Sequence, residues 1–254
     1  MSENRIHITA ELAGIPFELI CRNKKHRNFF KDYLSQKEPL FLCEITEEDL
    51  DKEKEYLERI PGTVYRDYEF SLENSAIHRK VMNELVKHNI VLLHGSALSM
   101  DGEAVIFSAK SGTGKSTHTR LWREVYGDRV VMIDDDKPLL KTEGDKIIVY
   151  GTPWNGKHHL GSNTSAPLKA IVKLTRGETN SIVGMNKADA FQLLLRQVYM
   201  PEDKDLVKSV LKTENEILNC IPFFLLKCNM EKEAAEISYR GIFEKDGDKD
   251  ETEE

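Results

Sequence analysis

The chain has 254 residues, of which 40% are apolar and 31% charged, and a formal net charge of -7, enough for one ordinary domain, or a small one joined to a medium one, with a core of its own. The acidic balance excludes the basic face that nucleic-acid backbones require, and no apolar stretch approaches membrane-spanning length. The start, Met-Ser-Glu-Asn-Arg, has no apolar signal core, so the expectation is a cytoplasmic protein whose partners are neither nucleic acid nor membrane.

In chain order, residues 5–21 read as two strands turning about Gly14-Ile15-Pro16, and 41–45 as a third. Residues 47–60 are acidic and helix-prone, closed by Pro61-Gly62. Residues 78–88 carry Val81, Met82, Leu85 and Val86 at the spacing of one helix face. Together these predict a small α+β region over residues 1–85. An apolar run at 89–93 then ends in His94-Gly95-Ser96-Ala97. A lone histidine at a strand end is most simply a hydrogen-bonded bystander, so His94 gains meaning only from the residues downstream of it.

Ala104-Val105-Ile106-Phe107 reads as a buried strand, and Ala109-Lys110-Ser111-Gly112-Thr113-Gly114-Lys115-Ser116-Thr117 comes next, with a helix-like stretch at 118–126 stopped by Gly127. Strand, glycine-rich loop and helix in this order form a phosphate-binding loop. Gly112 and Gly114 permit a tight turn with N–H groups pointing inward, Lys115 reaches the outer phosphates, and the Ser116 hydroxyl is placed to hold Mg²⁺. The helix adds its positive dipole end. The first motif position, commonly glycine, is Ala109 here.

Residues 129–136, Arg-Val-Val-Met-Ile-Asp-Asp-Asp, read as a strand that ends in carboxylates. Strands joined by such a unit commonly neighbour one another, which would set the acids beside the phosphates, one to hold metal and one to take a proton. Residues 168–174 and 222–226 suggest further strands, and 187–198 a helix. Arg196 in that helix and Arg176 before it are placed to contact a phosphoryl group, although a solvated arginine is the plainer reading of each. Trp154, in Gly151-Thr-Pro-Trp-Asn-Gly156, either stacks on a substrate or anchors that loop. Neighbours on a loop rarely share one ion, which discounts a metal role for His158-His159. The four cysteines, Cys21, Cys43, Cys220 and Cys228, are scattered and read as reduced core thiols. Residues 244–254 form an acidic tail expected to be disordered, which leaves 86–243 as the catalytic domain.

The ordered set His94-Gly95-Ser96-Ala97, Ala104 to Phe107, Ser111 to Thr117 and Ile133-Asp134-Asp135-Asp136 resembles the nucleotide-binding core shared by HPr kinase/phosphorylase and ATP-dependent phosphoenolpyruvate carboxykinase. The stretch from Tyr150 to Lys157 looks like the short HPr-kinase-like proteins. The resemblance implies an α/β fold with a carboxykinase-like core, and an ATP-dependent kinase that uses Mg²⁺, or Mn²⁺, to phosphorylate a hydroxyl of a small serine-like or polyol molecule or a peptide serine. It also implies that Lys115 binds phosphate, Ser116 and Asp135 serve the metal, Asp136 is the general base, and His94 approaches the γ-phosphate or a metal ion. Lys157 is a further candidate for neutralising charge on the transferring group. Thr117 stands where HPr kinases usually carry an acid, which brings the loop closer to the carboxykinase version. Residues 148–151 offer no counterpart of a metal-binding glutamate. A carboxykinase or phosphorylase reaction on the same cradle, and an ATP-responsive binding protein that moves no phosphate, stand as alternatives. Relatives that form rings make a homo-oligomer an expectation.

Overall fold

A computed structural model describes residues 5–58 and 67–244. The helix stop expected at Pro61-Gly62 and the acidic tail beyond Glu244 lie outside the described residues. The fold is mixed α/β and divides into two compact units: Met1–Ile90 with Pro201–Ser209, and Val91–Met200 with Val210–Glu254.

In the first unit, β1 (Ile6–Leu12), β2 (Ile15–Cys21) and β3 (Phe41–Glu44) form a three-stranded sheet. Alternation of apolar residues puts Ile6, Ile8, Ala10 and Leu12 opposite Cys21, Leu19, Phe17 and Ile15 on one buried face. The turn falls on Ala13-Gly14, both at positive φ (49° and 79°), which is the twist a two-residue hairpin needs; Ile15 and Pro16 already belong to β2. Helices α1 (Lys25–Phe29), α2 (Glu47–Glu58) and α3 (Tyr68–Val86) complete the unit. Helix α3 starts well before the stretch that its periodicity marked. Asp67 caps it by accepting the Phe70 N–H, and its first half hides a buried face behind polar residues. One of these is Glu73, 3% exposed, which accepts the N–H groups of Arg22 at 2.7 Å and Asn23 at 2.9 Å where the chain leaves β2.

The second unit is built on a nine-stranded sheet of β4 (Ile90–Leu92), β5 (Ser96–Met100), β6 (Glu103–Ser108), β7 (Val130–Asp134), β8 (Leu139–Glu143), β9 (Lys146–Tyr150), β10 (Ser165–Arg176), β11 (Ser181–Gly184) and β12 (Phe223–Cys228). The order is β4-β8-β9-β10-β6-β5-β7, with β12 pairing β10 and β11. Long β10 runs parallel to β6 and β12 and antiparallel to β9. The expected adjacency of β6 and β7 gives way to a sheet in which β5 lies between them, antiparallel to both. Its cause is local: Asp101-Gly102, at φ 51° and 88°, closes a tight β5–β6 hairpin.

The helices of this unit are α4 (Lys115–Tyr126), α5 (Lys187–Gln197), α6 (Lys204–Cys220, whose first residues group with the other unit) and α7 (Glu233–Phe243). Helix α7 packs on α4 over Phe107 and Trp122, both fully buried. The Trp122 indole N–H is shared between Ser238 Oγ at 2.9 Å and His118 Nε2 at 3.1 Å. Cys21 and Cys43 are buried free thiols, whereas Cys220 is exposed rather than part of the core.

Burial pushes the His118 pKa down to about 3 from an ordinary 6.5. Between those values the unfolded chain takes up a proton that the folded chain refuses, so the stability from this residue is complete above pH 6.5 and is lost as pH falls. His118→Gln should therefore melt with a shallower loss of stability between pH 7 and 4.5 than the parent, by on the order of 2 kcal/mol. Thermal melts at the two pH values check this, and parallel losses in parent and variant would contradict it.

Candidate active site at the glycine-rich loop

Strand β6 ends at Ser108 and α4 begins at Lys115, so Lys115, Ser116 and Thr117 occupy the first turn of the helix. Gly112 and Gly114 have φ of +76° and +126°, and a Cβ at either would meet nothing within 4 Å. Backbone conformation, not space, demands glycine at both. Ala109 is 4% exposed and does not adopt a positive φ, so a methyl group at the motif's first position costs the loop nothing. Gly114 gives α4 no side-chain cap, and the first helical bond is His118 N–H to the Gly114 carbonyl at 2.9 Å. The amides of Lys115, Ser116 and Thr117 thus lack helical acceptors and form a ready anion site. Arg176, at the end of β10, donates to the carbonyls of Gly112 and Thr113. It thereby braces the loop, a role the sequence did not disclose.

The three successive aspartates do different jobs. Asp134 is fully buried and accepts the N–H groups of Asp136 (2.8 Å), Lys137 (2.7 Å) and Thr152 (2.9 Å), with the Thr152 hydroxyl at 3.0 Å. It is a structural hub, and burial pushes its pKa up to about 6 against those bonds. Asp135 is 6% exposed; its Oδ1 accepts the Gly156 N–H at 2.7 Å, and its carbonyl accepts Ser96 Oγ at 2.9 Å. Asp136 is half-buried, with Oδ1 3.3 Å from His94 Nδ1 and Oδ2 3.9 Å from Lys137 Nζ.

His94 joins the acid to the loop. Its Nε2 lies 3.1 Å from Lys115 Nζ, which also donates to the Ala109 carbonyl at 3.2 Å. Burial and then the Lys115 charge lower the His94 pKa, with Asp136 opposing. A neutral ring fits both neighbours: Nε2 accepts from the ammonium while Nδ1–H faces the carboxylate. Burial likewise lowers the Lys115 pKa, again opposed by Asp136. The backbone around His94 is fixed by its N–H to the Gln197 carbonyl (2.7 Å), Gly95 N–H to the Asp136 carbonyl (3.0 Å) and Ser108 Oγ to the His94 carbonyl (2.9 Å).

His94, Lys115, Ser116, Asp135, Asp136 and Lys157 line one cleft of about 490 Å³, which also reaches Ser111, Gly112, Gly114 and Thr117. Lys157 arrives on the 151–164 loop, which lies so tightly on β7 that a Cβ at Gly151 would sit 2.6 Å from the Ile133 carbonyl oxygen. Trp154, 4% exposed, lines neither this cleft nor the cavities beside it. Its burial favours the loop anchor of its two readings. Arg196 is away from the cleft, on a separate cavity shared with Arg176. Near residues 148–151, β9 presents Ile147 and Val149 to the core, and the carboxylates lining the cleft are Asp135 and Asp136.

The donor set suits a magnesium triphosphate. Free helix-terminal amides and Lys115 match phosphate oxygens, and Ser116 with the uncommitted oxygen of Asp135 offers hard oxygen ligands. Thr152, Gly156, Ser96 and Gln197 were missed as supporting residues. Thr152 and Gly156 fall in the Gly151-to-Gly156 cluster and Ser96 in the motif that begins at His94, whereas nothing in the sequence marks Gln197.

No family model matches the chain, and neither does any curated protein. Among solved structures it is similar to the HPr(Ser) kinase/phosphatase from Coxiella burnetii, with a TM-score of 0.29 and 13% identity, over 50% of this chain and 88% of that one. A likeness at that level carries no functional argument. Among the described residues, no helix is long and apolar enough to cross a membrane.

Proposed function

We propose that the protein is an ATP-dependent kinase of a hydroxyl group, built on a carboxykinase-like nucleotide-binding core. The observation that carries this reading is the gathering of an uncapped helix N-terminus, Lys115, His94 and the pair Asp135 and Asp136 around one cleft. In this reading the β- and γ-phosphates of ATP lie on the amides of residues 112–117. A third cavity, of about 460 Å³, borders Thr117, Gly177, Asn229 and Met230 at the carboxyl ends of β10 and β12 and is the place this reading gives to the purine.

Asp136 accepts the acceptor's hydroxyl proton as that oxygen bonds to the γ-phosphorus. The bond from the γ-phosphorus to the bridging oxygen breaks, its electron pair stays with the β-phosphate, and ADP leaves. His94 Nδ1–H orients the Asp136 carboxylate, while Lys115 and Lys157 offset charge on the transferring group. Ser116 and Asp135 would hold Mg²⁺, whose contribution when bound is to neutralise phosphate charge. Most of the rate gain comes from positioning and charge compensation.

The test is ³¹P NMR of the protein with ATP, Mg²⁺ and fractionated cell metabolites, followed by mass identification of products. A new phosphoester formed only with active protein is expected. ATP that stays intact, or that yields inorganic phosphate alone with every fraction, would overturn the proposal.

A further inference from the structure

A cavity of about 670 Å³ lies beside the loop and is distinct from the cleft of His94 and Asp136. Its volume suits a small molecule. Lys110, Lys173, Arg176 and Arg196 line it together with Gln192 and Gln197, and among the described residues no carboxylate does. Four cations on one concave wall in a chain of net charge -7 create a local field opposite to that of the whole protein. Arg176 is partly committed to the carbonyls of Gly112 and Thr113. The C-terminal end of α5 contributes a partial negative charge of roughly half a unit, which the cations exceed.

The cavity also touches the chemistry. It shares Ser111 and Gly112 with the cleft. Gln197, on its wall, accepts the His94 N–H through its carbonyl at 2.7 Å. A molecule held here by Lys173 and Arg196 lies beside the Ser111-Gly112 stretch that the cleft of His94 and Asp136 also borders. The purine needs no such charge, and the triphosphate already has Lys115 and the helix-terminal amides.

We infer that this cavity is the acceptor subsite, and that the acceptor is a small hydroxyl compound carrying an anionic group, carboxylate or phosphate, held by Lys173 and Arg196. The inference rests on the kinase reading of the cleft. In the transfer the acceptor loses a proton to Asp136 and gains the phosphoryl group, and ATP becomes ADP.

A matched set of small alcohols tests it. ADP release and phosphoester formation are measured with MgATP and glycerol, D-glycerate, L-serine, L-lactate or glycerol 3-phosphate, so that a neutral, a carboxylate and a phosphate arm share similar hydroxyl groups. Acids from one of the two charged arms are expected to turn over while glycerol does not. Arg196→Gln should then raise the acceptor KM by about 10- to 100-fold, the loss of one charge-assisted bond, with the ATP Kd from calorimetry unchanged within about threefold. The inference is overturned by glycerol serving as well as the acids, by no anionic member turning over, by a peptide serine being the only hydroxyl phosphorylated, or by an unchanged acceptor KM in Arg196→Gln. Calorimetry on the parent separates the two claims: without ATP binding the kinase reading falls, and this inference with it, whereas ATP binding without selectivity for anions removes only the acceptor site.

Discussion

Asp136→Asn is expected to cut phosphoryl transfer by about 10²- to 10⁴-fold, the range for loss of a general base, while ATP affinity changes by no more than a few-fold. Asparagine keeps the size of the side chain, and its Oδ1 still accepts from His94 Nδ1, 3.3 Å away in the parent. What it loses is the ability to take a proton. His94 does not confound the result, because removing a charge that raises its pKa leaves the ring neutral. Steady-state rates beside ATP calorimetry decide the matter. A variant with full transfer activity would remove Asp136 as the base.

Lys115→Ala should lower transfer by about 10²- to 10³-fold, as loss of a preorganised donor to developing charge does. It carries a second signature, independent of turnover. The Lys115 charge depresses the His94 pKa across a 3.1 Å contact. With that charge gone, burial and the Lys137 charge still hold the His94 pKa down against Asp136, but one depressing charge is lost, so the His94 titration should move upward. NMR of the imidazole protons reads this directly, and a titration that does not move would contradict the contact.

The loop was legible in the sequence because its signal is local: an apolar strand, two glycines forced to positive φ, then lysine and serine at the first positions of a helix. Strand β7 and its acids were legible for the same reason, but their ranking was not. Which of Asp134, Asp135 and Asp136 is a hub and which faces the cleft depends on where the N–H groups of Thr152 and Gly156 fall, and those come from another part of the chain. Helix α6 escaped notice because its buried face mixes Val210 and Ile217 with Thr213 and Glu214. Helix α7 is hard to read because three of the four side chains it buries, Ala234, Ala235 and Ser238, are small, and only Ile242 is a large apolar one. The β8–β9 hairpin about Gly144 is masked by the charged Lys141, Glu143, Asp145 and Lys146 at its end. Arg176 and Gln197 act through one backbone carbonyl or another, and no residue type announces that.

The central claim is that the amides and Lys115 at the start of α4 grip the outer phosphates of a nucleotide. The most direct measurement is calorimetric titration of the protein with a non-hydrolysable ATP analogue and Mg²⁺, alongside Lys115→Ala. Saturable binding in the parent, in the micromolar-to-millimolar range usual for enzyme substrates, with marked weakening in the variant, is the predicted result. No heat from any purine triphosphate with a divalent cation, or equal binding by parent and variant, would contradict it.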